Sequence, residues 1–191
     1  APSVCGVSPV DLKNMKDKLV APLSAVYSWC LENATFPKDW LESSIFFLHK
    51  KGDRTNPSSF RTINIQNPFL KCFSKVLTKR LVTFAEDNRL LPDEQYGFRP
   101  KRSCYGAVSL LHEIVRSRLQ KKQRTYAAFI DLAKAFDKVD RSLLFAKLQK
   151  MKIPFKLCAT FFHIFNNIKI YLKAGDTRSE PFQPNNGGPQ G

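Results

Sequence analysis

Acidic residues are scarce in this chain. Its 191 residues hold 16 Asp and Glu against 31 Lys and Arg, a net charge of +15. Such an excess favours solubility, electrostatic steering and an anionic partner, and says nothing of fold. Histidine is scarcer still: His49, His112 and His163 stand at no ligand spacing and read as surface or ordinary packing residues. The five cysteines, at 5, 30, 72, 104 and 158, include no Cys-x-x-Cys pair. Their odd number and scatter argue against a zinc site or a disulfide framework and for a reducing compartment. No apolar run reaches the roughly 18 residues of a membrane-spanning helix, and no isolated basic amphipathic end is found, so membrane attachment is disfavoured. We read no internal repeat, signal peptide or charged low-complexity tail.

What is present describes a folded domain. With 43% hydrophobic and 25% charged residues, the chain reads as globular rather than disordered. Its length suits one domain or two small subdomains with a sizeable core. Nucleic acid is the leading partner for the positive charge, because neutralised phosphates release counterions. Ribosomal and membrane-surface proteins are equally basic, so composition alone leaves them open.

Pro22 predicts a helix ending near Val20 and another starting at Pro22, with Leu23, Val26 and Cys30 at helical spacing. Ser44 to His49 and Arg61 to Ile65 predict an antiparallel pair joined by a polar turn from Lys51 to Ser59. From Pro68 to Asp87, Leu70, Phe73, Leu77, Leu81 and Phe84 form a core stripe. Lys71, Lys75 and Lys79 form a second stripe, either a solvated face or a nucleic-acid contact. Residues 88 to 102 read as a loop, and Ser103 as the start of a helix carrying Val108, Leu111, Val115 and Leu119 inward. A strand then ends at Asp131, Asp140 caps a helix to about Met151, a helix covers Phe155 to Asn166, and Ile168 to Leu172 reads as a strand. The order suggests α+β rather than a doubly wound sheet.

Within Tyr126-Ala-Ala-Phe-Ile-Asp131-Leu-Ala-Lys-Ala-Phe136-Asp137, an apolar strand delivers a carboxylate to its end, with an aromatic five residues later. Taken alone, Asp131 can merely cap the next helix and Phe136 can pack in a core. The run nevertheless closely resembles the first catalytic motif of reverse transcriptases from non-LTR (LINE-type) retrotransposons. Pro37-Lys-Asp-Trp40, Lys50-Lys-Gly-Asp53, Phe60-Arg-Thr-Ile63, Gln95-Tyr-Gly-Phe-Arg99 and Gly187-Gly-Pro-Gln-Gly191 follow the family's order. Ala1 to Val7 is similar to a degenerate Ala-Pro-Gly-x-Asp-Gly-Ile opening. Phe60-Arg-Thr-Ile63 departs from the usual Tyr-Arg-Pro-Ile but keeps the arginine.

The resemblance implies a right-hand polymerase fold of class α+β, helices with a small antiparallel sheet. Residues 1–125 would be mainly fingers and 126–191 the first part of the palm, with the thumb absent. It implies an RNA-directed DNA polymerase taking an RNA template, a DNA primer and deoxynucleoside triphosphates, with no membrane partner, in the nucleus or a ribonucleoprotein inside the cell. The cofactor would be Mg²⁺ or Mn²⁺, hard cations that prefer oxygen ligands, held by Asp131 as the catalytic ligand and by the Leu132 carbonyl. Asp137 lies outside the family's metal position and reads as structural. Phe136 would block a ribose 2′-OH and select deoxynucleotides.

Lys50 and Arg61, on opposite arms of the hairpin, would meet the triphosphate, the arginine as a fixed fork and the lysine as a mobile charge. A solvated pair is the alternative, and Lys51 can replace Lys50 if the alignment slips by one. Gln190 and Gly191 match the Pro-Gln-Gly motif that supports the nucleotide base, against the plainer reading of a Gly-rich turn. Gln95, Gly97, Arg99, Lys101 and Arg102 resemble a template-contacting segment, to which Lys71, Lys75 and Lys79 add a basic helix face. The family's Tyr/Phe-x-Asp-Asp motif does not occur in these residues, so the resemblance implies that this chain alone is inactive and needs the remaining palm and the thumb. A domesticated, noncatalytic nucleic-acid-binding or scaffold module in a ribonucleoprotein is the alternative.

Overall fold

The computed structural model describes residues 5–174, 177–184 and 186–188. Ala1 to Val4, at the head of the degenerate opening, and Gln190 and Gly191 lie outside the described residues. Two compact units emerge, one of residues 1–79 with 134–191 and one of residues 80–133.

In the first unit, Ser8 and Asp11 form a reciprocal capping box that starts α1 (Pro9–Asn14), Ser8 Oγ accepting from the Asp11 N–H and Asp11 Oδ2 from the Ser8 N–H. This box satisfies two of the N–H groups that a helix start leaves orphaned. The chain breaks at Met15 and continues as α2 (Lys16–Asn33), which runs straight through Pro22. The expected boundary at Pro22 is therefore corrected. A proline inside a helix loses one hydrogen bond and costs about 3 kcal/mol, which tertiary anchoring offsets: the Tyr27 hydroxyl donates to the Phe69 carbonyl at 2.9 Å, its ring packs on Phe73 and Trp40, and Cys30 is fully buried.

β1 (Glu42–His49) and β2 (Phe60–Gln66) pair antiparallel, with Leu48 opposite Arg61 and His49 opposite Phe60, as expected. Asn67 opens α3 (Pro68–Asp87) by accepting the Phe69 N–H, ahead of a proline in the first turn that has no N–H to lose. Leu70, Phe73 and Leu77 from α3 are buried while Lys71, Lys75 and Lys79 are exposed; Leu81 and Phe84, expected in the core stripe, are only half-buried.

Asp140 caps α5 (Arg141–Lys150), and α6 (Phe155–Asn167) buries Leu157, Cys158, Thr160 and Ile164. β3 (Lys169–Ala174) and β4 (Thr177–Arg178) complete a sheet of order β2-β1-β3-β4. β3 lies parallel to β1, Ser43 opposite Ile170. The sheet is thus mixed, correcting the expected antiparallel one: the long helical connection between β1 and β3 permits the parallel pairing that a tight turn cannot.

The second unit begins in the C-terminal part of α3 and contains α4 (Cys104–Gln120), capped by Ser103. Two expectations fail here. Val108, Leu111 and Leu119 are exposed and Val115 is only half-buried, so the α4 stripe is not a core face. Residues 123–132 form no strand, and Ile130 is 88% exposed. High strand propensity needs a paired neighbour to become a ladder, and the sheet does not include this segment.

Candidate functional site

Two stretches far apart in sequence meet in the first unit. The Gly187 N–H donates to the Val139 carbonyl at 2.8 Å and the Gly188 N–H to the Phe136 carbonyl at 3.1 Å. Gly187 has φ of +77°, and a Cβ there would sit 2.9 Å from the carbonyl oxygens of both Phe136 and Asp137. Only glycine fits that contact and that backbone region. The turn carrying Phe136 is therefore stitched to the segment that leads into Pro189-Gln-Gly.

Arg141, which sequence reasoning passed over, holds the same segment from behind. It is 8% exposed; its Nε donates to the Gly187 carbonyl at 2.8 Å and its Nη1 to the Phe165 carbonyl at 2.7 Å. The guanidinium lies 5.3 Å from the Phe165 ring centroid, and burial lowers its pKa from the usual arginine range. The available signal was a cation in the first turn of a helix, where the dipole disfavours it.

Lys50 and Arg61 share one face of the hairpin. The Lys50 N–H donates to the Ser59 carbonyl, so the strand alternation continues and puts Lys50 on the side of Leu48 and its partner Arg61. Both side chains are exposed. The opposite face carries Ile45, Thr62 and Asn64 and faces the Asp137 and Gly187 segments across a cavity.

In the second unit, Asp131 and Leu132 are exposed in a segment without regular structure. Among the described residues no three His, Cys, Asp or Glu gather as a metal cluster. Asp131 with the Leu132 carbonyl fits a hard divalent cation by donor chemistry, as one part of a coordination shell.

The same unit folds residues 92–102 around Arg99. Its Nε and Nη2 donate to the two Glu86 oxygens at 2.8 Å each, and its Nη1 donates to the Pro92 carbonyl. Arg99 is thus committed to shaping the loop, with its pKa raised and that of Glu86 lowered, in both cases chiefly by their hydrogen bonds. Gln95 likewise donates to the Gly97 carbonyl at 3.1 Å. Lys101 and Arg102 border a concavity of about 450 Å³ together with Tyr96 and Ser103. Phe98, which stands in the Gln95–Arg99 motif but was given no role of its own, is 91% exposed with φ of +60°. An aromatic held at positive φ is a sparsely populated state of a kind that clusters at functional positions. Its signal in the sequence was an aromatic interleaved with arginine and lysine.

Residues 48–191 match the family model described as reverse transcriptase (RNA-dependent DNA polymerase). The chain belongs to the reverse transcriptase family. It is 30% identical over 152 residues to a probable RNA-directed DNA polymerase from transposon BS of Drosophila melanogaster, covering 79% of this chain and 17% of that protein. It is 27% identical over 147 residues to the polymerase from mobile element jockey of the same species, covering 75% of this chain and 16% of the relative. With the Pol polyprotein of a type-1 retrotransposable element R2 from Nasonia vitripennis it shares 23% over 169 residues, 88% of this chain and 16% of that protein. The chain thus spans about a sixth of these relatives' length, and the non-LTR resemblance read from its motifs is borne out.

Proposed function

We propose that this chain carries the nucleotide-selecting part of an RNA-directed DNA polymerase of a non-LTR mobile element, which extends a DNA primer on an RNA template. The supporting observation is the stitching of the Phe136 turn to Gly187 and Gly188 within residues that match the reverse transcriptase family. Residues 1–125 supply mainly the fingers and 126–191 the first part of the palm. No helix among the described residues is long and apolar enough to cross a membrane; the working place is the nucleus or a ribonucleoprotein.

Each residue has a role that its chemistry suits. Lys50 and Arg61 bind and orient the triphosphate, and Phe136 excludes a 2′-OH by shape, selecting deoxynucleotides. Gln190 and Gly191 support the base. Asp131 and the Leu132 carbonyl hold a divalent cation, Mg²⁺ or Mn²⁺, which when bound stabilises charge on the reacting phosphate oxygens. Lys71, Lys75 and Lys79 on α3 contact nucleic-acid phosphates, as do Lys101 and Arg102 on the loop that Gln95, Gly97 and Arg99 shape.

Asp131→Asn in the complete polymerase tests the assignment. The amide is nearly isosteric and removes only the charge, so primer extension should fall by about 10³-fold or more, by analogy with groups that act directly on the transition state, with an unchanged melting curve and duplex affinity. A folded variant that extends primers at the parental rate would show that Asp131 is no metal ligand.

A further inference from the structure

The sheet face opposite Lys50 and Arg61 borders a half-open cavity of about 270 Å³. Its polar lining comes from Thr62, Asn64, Asp137 and Asn186, beside Gly187 and Gly188. Asn64 is the anomaly: it is 5% exposed, and neither its Nδ2 nor its Oδ1 has a hydrogen-bond partner in the protein. Its neighbours on this face include the apolar Ile45 and Ile170, where a branched aliphatic would be the simpler occupant. Buried polar groups are almost always paired, with protein or with ordered water. Liquid water occupies about 30 Å³ per molecule and needs two to four polar partners, which this lining supplies.

We infer that Asn64 is a positioning residue: its amide, through water in this cavity, braces the Asp137 turn and the Gly187–Gly188 segment and thereby fixes where Phe136 stands. The two backbone hydrogen bonds to Val139 and Phe136 tie turn and segment to each other. The Asn64 bridge adds a tie to β2, beside the Ile170–Phe182 pairing that already joins the C-terminal segment to β3. Phe136 acts by shape, so its discrimination depends on the position of its backbone. The inference rests on the nucleotide-selecting reading of Phe136.

The experiment uses the complete polymerase with Asn64→Leu, which keeps similar bulk without hydrogen-bonding capacity, and Asn64→Thr, which retains a hydroxyl. Phe136→Ala serves as the reference for an opened selector. Hydrogen exchange is followed in the peptide covering Gly187 and Gly188, and kcat and KM are measured for deoxy- and ribonucleotides on one primer–template. Asn64→Leu should speed exchange by about two- to tenfold, the range that one net hydrogen bond supports. It should lower deoxy-over-ribo discrimination by about three- to tenfold, chiefly by raising ribonucleotide kcat/KM, and Asn64→Thr should restore most of both.

Unchanged or slower exchange in Asn64→Leu, with a raised Tm, would mean a dry cavity and would overturn the inference. Faster exchange with an unchanged discrimination ratio, while Phe136→Ala lowers it, would reduce Asn64 to a structural brace and equally overturn the positioning role. If Phe136→Ala itself leaves the ratio unchanged, the nucleotide-selecting reading fails, and the exchange arm alone decides whether Asn64 braces the segment.

Discussion

Gly187 and Arg141 make one contact from two sides. The glycine admits the Phe136 and Asp137 carbonyls within 2.9 Å of where a side chain would begin, and the guanidinium grips the glycine's own carbonyl at 2.8 Å. Gly187→Ala must leave the positive-φ region or displace two backbone carbonyls, a loss of about 1–3 kcal/mol. Arg141→Met removes hydrogen bonds donated by a charged group, worth about 1.5–3 kcal/mol each, although it also relieves a buried guanidinium whose Nη2 has no partner. The expected net loss for Arg141→Met lies near the lower end of that range. Because both changes act on one hydrogen bond, the double variant should fall short of the sum by about 0.5–3 kcal/mol. Urea melts of the four proteins measure the coupling, and strict additivity would show that Arg141 does not depend on the Gly187 backbone.

At the scale of elements, the loop of residues 92–102 carries two ion pairs, Arg102 with Asp93 and the more buried Arg99 with Glu86. The Arg99 hydrogen bond holds the Glu86 carboxyl below its ordinary value of 4.5. A lowered carboxyl pKa contributes stability above the unfolded value, and that contribution is lost as pH falls through the folded value. Glu86→Gln should therefore melt below the parent near pH 6, and the gap should close toward about pH 3; a gap that persists in acid would mean that packing, not charge, holds the loop. Such elements were legible wherever their cause was local. Ser103 and Asp140 read as caps because capping needs only the next three residues, and the β1–β2 hairpin showed in its two short runs and the polar turn between them. What failed was non-local. The α4 stripe and the 126–131 segment have the right residues but stay largely exposed, and the parallel pairing of β3 with β1 is set by a register across more than a hundred residues. Arg141 and Asn64 were missed for the same reason: each looks ordinary until Gly187 is brought beside it.

Across the whole molecule, the net charge of +15 is the property least dependent on any single contact. Exposed lysines on α3 lie in the first unit, and the second adds Lys101 and Arg102 near the exposed ring of Phe98. Charge and stacking have separable signatures. Phosphate contacts bind without sequence preference and release counterions, so log K should fall linearly with log salt by about 0.9 per contact on duplex. Replacing Lys71, Lys75 and Lys79 together by alanine should reduce that slope by about 2 to 3 if all three face phosphates. Phe98→Ala should instead weaken single-stranded RNA by about 1–3 kcal/mol, the range for base–aromatic stacking, with the slope unchanged. Titrations of labelled RNA–DNA duplex and single-stranded RNA at several salt concentrations separate the two effects. A slope untouched by the triple substitution would make the α3 stripe a solvated face, and a Phe98→Ala protein with parental RNA affinity would leave the strained aromatic without a stacking role.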